Sequence, residues 1–187
     1  MTRPSLGFLC DCIAAALLAR YGVTRPPVPL RAMLGAPPPD LARHISLTET
    51  LPFGDALWLR PPGGQASIFV NPAIPEPNKR YGMARAMFVG LCSSKGGQEA
   101  GLPEVPNDDL SAQSDLFARR LLLAPALMPE DWETLPAEAL AELFGVPIEV
   151  VEVHLSEMVR ADRVPLDAAR ADGAQAATAG QTDLRRS

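Results

Sequence analysis

Two histidines, His44 and His154, and three cysteines, Cys10, Cys12 and Cys92, are the only imidazole and thiol groups in this 187-residue chain. His44 stands alone and reads as a surface or capped residue, and His154 lies among acids on a helix and reads as solvated or partly packed. Cys10 and Cys12 are two apart. On a helix they point in different directions, and metal ligands there want spacings of three or four. No nucleophile–histidine pair and no phosphate-cradling glycine motif is present. The remaining candidate is a single charge, Arg85, inside the otherwise apolar run Met83–Cys92.

That run belongs to Asn78–Cys92, which the spacing of Met83, Ala84, Met87, Phe88, Leu91 and Cys92 predicts as a helix apolar nearly all the way round. Such a helix is buried in the middle of a domain. Ala56–Arg60 and Ala66–Val70 are β-prone runs around Pro61-Pro62-Gly63-Gly64 and read as a hairpin, stopped by Asn71 and Pro72. Ser5–Tyr21 reads as a first helix, capped by Ser5 and ended by Gly22, and Leu30–Leu34 as a helical turn closed by Gly35. Leu41–Glu49 has no assignable pattern. Ser93–Pro106 reads as loop and Asp109–Leu123 as helix. Leu135–Phe144 and Ile148–Arg160 form a helix pair about the turn Gly145-Val146-Pro147.

Composition bounds the rest. The formal net charge is −5, so a global basic footprint for nucleic acid is absent. Three cysteines do not make a disulfide framework, and a reduced cytoplasmic setting is expected. Leu6–Ala19 is too short to span a bilayer and carries Asp11, which points to a buried helix rather than a membrane span or a signal peptide. Asp167–Ser187 has no apolar periodicity and reads as a disordered tail. The expected organisation is one domain over residues 1–165, with a helical C-terminal part at about 129–162, and a tail over 166–187.

The order of segments resembles the ImmA/IrrE family of metallopeptidase-like proteins. There a strand ending near Asn-Pro leads into Arg-(Phe/Tyr)-x-x-Ala-His-Glu-x-x-His. Asn71-Pro72 and Arg80-Tyr81-Gly82-Met83-Ala84 match, but the next five residues are Arg85-Ala86-Met87-Phe88-Val89. A second match is Phe117-Ala118 with Leu121-Leu122-Leu123-Ala124-Pro125, which places Gln113 at the family's third ligand, a glutamate. The resemblance implies an α+β, mostly helical zincin-like fold with a small antiparallel sheet packed on the motif helix. It also implies a former metal site at Arg85, Ala86, Val89 and Gln113.

Those residues cannot do the family's chemistry. Zinc needs lone pairs, which guanidinium and the alanine and valine side chains lack, and an amide is a poor substitute for a carboxylate. No catalytic residue, metal or cofactor is therefore expected. The implied function is non-catalytic binding of a protein or peptide, such as a transcriptional regulator, through a groove near Tyr81, Arg85 and Asp115, with Arg85 standing in for the cation and pairing with Asp115. One alternative is a DNA-associated regulator using the C-terminal helix pair, although Glu149, Glu152 and Glu157 would repel phosphate. Another is an active metallopeptidase with a rearranged site.

Overall fold

A computed structural model describes residues 4–39, 41–105 and 107–160. The expected tail, 166–187, lies outside them. Residues up to 151 form one compact unit, and those from 152 belong to a second.

In the first unit, α1 (Leu6–Arg20) starts where Ser5 Oγ accepts from the Phe8 amide at 3.3 Å, and it stops at Gly22, whose φ of 61° suits a glycine. α2 (Leu30–Gly35) buries Leu30, Met33 and Leu34. Strands β1 (Ile45–Thr48), β2 (Ala56–Leu59) and β3 (Ala66–Val70) form a sheet in the order β1-β3-β2. β2 and β3 are the expected antiparallel hairpin, with Trp58 opposite Ile68. β1 runs parallel to β3, with Leu47 opposite Ile68. The sheet is thus mixed, not antiparallel as the resemblance implied, because the unassigned segment around residue 45 supplies a third strand.

α3 (Glu76–Cys92) is the centre of this unit. Met83, Ala84, Ala86, Met87, Phe88 and Cys92 are all buried. It packs against β2 and β3 and, separately, against α5 (Leu110–Leu122), which in turn carries α1. The rings of Phe88 and Phe117 meet at 5.3 Å between centroids. Two glycines let β2 lie close on α3. A Cβ at Gly82 would come within 2.9 Å of Asp55, and one at Gly90 within 2.7 Å of the Trp58 ring.

The stretch Ser93–Pro106 is not all loop. It contains α4 (Lys95–Glu99), capped by Ser94 Oγ, which accepts from the Gly97 amide at 3.0 Å and donates to the Leu91 carbonyl at 2.7 Å. Gly97 sits against the Leu91 backbone with no room for a Cβ. α6 (Ala137–Phe144) ends at Gly145 in the left-handed region, φ 63°, and α7 (148–160) follows Pro147. His154 on α7 is buried, more so than a solvated or partly packed side chain. No helix among the described residues is long and apolar enough to cross a membrane.

Cys10 and Cys92 are buried and Cys12 is exposed, all as free thiols. Burial first, then the Asp11 charge, pushes the Cys10 thiol from 9.0 to about 11. Burial first, then Cys10, pushes Cys92 from 9.0 to about 12. A thiol reagent at neutral pH should therefore label Cys12 alone in the folded protein, and all three cysteines only after unfolding. Rapid labelling of Cys10 or Cys92 in the native state, read by peptide mass spectrometry, would contradict this packing.

Candidate functional site

The residues singled out on the central helix converge. Arg85, Ala86 and Val89 line one cleft of about 300 Å³, together with Gly82. The opposite walls are Asp55–Trp58, at the start of β2, and Leu110, Ser111 and Ser114 of α5. The spacing explains the convergence: positions 82, 85, 86 and 89 lie within one stripe of a 3.6-residue helix.

Arg85 is fixed from several sides. Its Nε lies 2.9 Å from Asp115 Oδ1, and its Nη2 donates to Ser111 Oγ at 3.0 Å. Nε also reaches Ser114 Oγ at 3.5 Å, and Nη1 stands 3.9 Å from Asp55 Oδ2. Behind this, the Tyr81 hydroxyl donates to the same Asp115 Oδ1 at 3.0 Å. The result is a chain Tyr81–Asp115–Arg85 ending at the cleft. Arg85 and Asp115 are each about one-third exposed (29% and 32%), so screening holds the pair's stabilisation to about 1 kcal/mol. Its main effect is to hold the guanidinium in place.

Of the three expected groove residues, only Arg85 lines the cleft; Tyr81 and Asp115 support it. Gln113 is not brought to this site. It lines a separate depression with Pro4, Leu6, Leu9, Gly101 and Pro103. Helical geometry is the reason: the face of α5 that meets Arg85 carries 111, 114 and 115, and residue 113 lies far round the helix from it. Ser111 and Ser114 hold the place assigned to Gln113. The sequence reading missed both because it took the register from the Phe117-Ala118 match rather than from the face opposite Arg85.

The cleft does not fit a zinc ion. Arg85 presents only donors, Ala86 and Val89 have no lone pairs, and among the described residues no three His, Cys, Asp or Glu side chains converge to hold a metal. The arrangement instead offers a fixed guanidinium, two serine hydroxyls, an apolar floor and a strand edge.

That edge is open. Asn71 N donates to Asp55 O at 3.0 Å, so in the β2–β3 register the hydrogen-bonded pairs fall at 55, 57 and 59. The N–H and C=O of Ala56 and Trp58 therefore face away from β3, on the outer edge of the sheet. Two of the four β2 residues thus leave backbone groups for an added strand.

Burial first, then the Asp115 carboxylate, pushes Tyr81 from 10.0 to about 12. With the two buried thiols this sets an alkaline limit. All three folded-state values are raised, so the unfolded chain releases these protons first. Their stabilisation is fully present below about pH 9 and is lost as pH rises towards 12. The thermal midpoint should fall steadily from pH 9 to 11, and Tyr81→Phe should reduce that slope above pH 10. An unchanged slope in Tyr81→Phe would show that Tyr81 titrates normally.

No family model matches the chain, and no curated protein matches it.

Proposed function

We propose that this chain is a non-catalytic relative of the ImmA/IrrE metallopeptidase-like proteins, and that it binds an extended segment of a protein partner in the cleft between β2, α3 and α5. On this reading the fold is a zincin-like one, and the protein is a regulator in a reducing, cytoplasmic setting. The observation that carries it is Arg85: a cation clamped by Asp115 and Ser111 at the position where the family pattern has its first metal-binding histidine. The open groups of Ala56 and Trp58 support the binding mode, because an extended peptide adds to a free edge through its backbone and places alternate side chains in the cleft.

Selection of displayed random peptides on the purified protein tests this. Enriched peptides should protect the amides of Ala56 and Trp58 from hydrogen exchange and remain uncut after long incubation. They should bind Ser111→Trp, which fills the cleft mouth, at least about tenfold more weakly. Peptides that protect a different surface would remove the cleft from the reading. Cleaved peptides would restore the active-hydrolase alternative.

A further inference from the structure

We infer that a second site, at the end of the sheet where β1 and β3 begin and β2 finishes, binds the phosphoryl group of a small phosphate monoester. A cleft of about 340 Å³ there is lined by Arg43, His44 and Arg60, with Gly63, Gly64 and Gln65 of the hairpin turn. The three cation-capable side chains come from two separate segments, the approach to β1 and the exit of β2. Among the described residues no carboxylate lines the cleft, and none is ion-paired with either arginine. On a chain of net charge −5 this is a local reversal of sign.

Arg60 is already positioned. Its Nη1 donates to the Leu41 carbonyl at 3.2 Å, which leaves the rest of its donor fork for a ligand. A planar fork matches phosphate oxygens two at a time, and charge-assisted bonds of this kind are the strong ones. The turn beside the cleft is closed by Gly64 N donating to Pro61 O at 2.9 Å, with Gly63 at φ 68°, a conformation that suits a glycine. The volume is at the small end of the roughly 300–1,000 Å³ range of ligand sites, which suits a compact monoester and not a dinucleotide. The site lies apart from the Arg85 cleft and shares no lining residue with it.

Isothermal titration of the full chain with ribose 5-phosphate and with inorganic phosphate, at about 0.1 M ionic strength where distant charges are screened, tests the inference. Saturable binding is expected, weakened at least about tenfold in Arg60→Ala and in Arg43→Ala. Arg25→Ala removes the same charge from an exposed position elsewhere and should leave it unchanged. Tighter binding of the sugar phosphate identifies a monoester, as inferred; equal binding of the two assigns the site to free phosphate and overturns the monoester. No saturation by either probe overturns the site. So does equal weakening by Arg25→Ala, which would reduce the effect to net charge.

Discussion

Replacing Arg80 with alanine is expected to destabilise the protein by about 3 kcal/mol, the largest effect of any single charged residue. Arg80 is half-buried, and its guanidinium bonds backbone rather than acid. Nε donates to the Gly145 carbonyl at 3.0 Å and Nη2 to the Val28 carbonyl at 2.9 Å. It thereby ties the central helix to two loops far away in sequence. Burial pulls its pKa down, with Glu76 only partly opposing. Hydrogen bonds from a charged group contribute about 1.5–3 kcal/mol each, and alanine would leave two carbonyls without their donors. Arg80→Lys keeps the charge but has one compact ammonium where two separated carbonyls must be met, so it should recover no more than about half of the loss. Denaturant unfolding of the three proteins measures this. A loss under about 1 kcal/mol for Arg80→Ala would mean that water replaces the guanidinium without cost.

The triple variant Arg85→His, Ala86→Glu, Val89→His is expected to gain zinc binding, with Kd about 1 μM or tighter. Positions 85 and 89 are one helical turn apart and line the same cleft as Ala86. Histidines there would present two nitrogens from one face, and the Asp115 carboxylate, already directed at residue 85, is the natural third ligand. Competition against a chromogenic chelator measures the affinity, and Asp115→Asn in the triple background should weaken it about tenfold or more. Failure of a folded triple variant to bind zinc would set aside the view that this cleft has the geometry of a metal centre. Binding undiminished by Asp115→Asn would relocate the third ligand.

The sequence exposed those parts of the fold that depend on strong local signals. Ser5 and Gly22 bracket α1 because each supplies a specific backbone need, a side-chain acceptor and a positive φ. The apolar girth of α3 announced a buried helix, and Pro61–Gly64 announced the hairpin. β1 was not legible: it has four residues, and only Ile45 and Leu47 pair with buried β3 positions, so the alternation repeats too few times to register. α4 was hidden because Lys-Gly-Gly-Gln-Glu is poor helix material, and its one turn is held by Ser94 at one end and by the tight seat of Gly97 on Leu91. The site was half legible. Arg85 stood out as a charge in an apolar helix, and the expectation that it pairs with an acid such as Asp115 came from the place the family resemblance gave it. The faces of α5 could not be assigned without knowing which one meets α3, so Ser111 and Ser114 went unnoticed, and Gln113 lines a different depression from Arg85.

The strand order β1-β3-β2 also bears on how the chain is made. The last strand to leave the ribosome is the middle one in space, and β1 and β2 have no pairing with each other. Until residue 70 has been synthesised, both earlier strands are therefore without a partner. The hairpin, closed by a short turn, forms fastest once β3 emerges, and β1 then adds across a loop of about twenty residues. The next segment out is α3, whose apolar surface needs a sheet to cover one side. Chains cut short before residue 70 would thus expose unpaired strands, and chains cut between residues 92 and 110 would carry the core helix without α5 to cover its other side. Both kinds of exposed surface favour aggregation over folding.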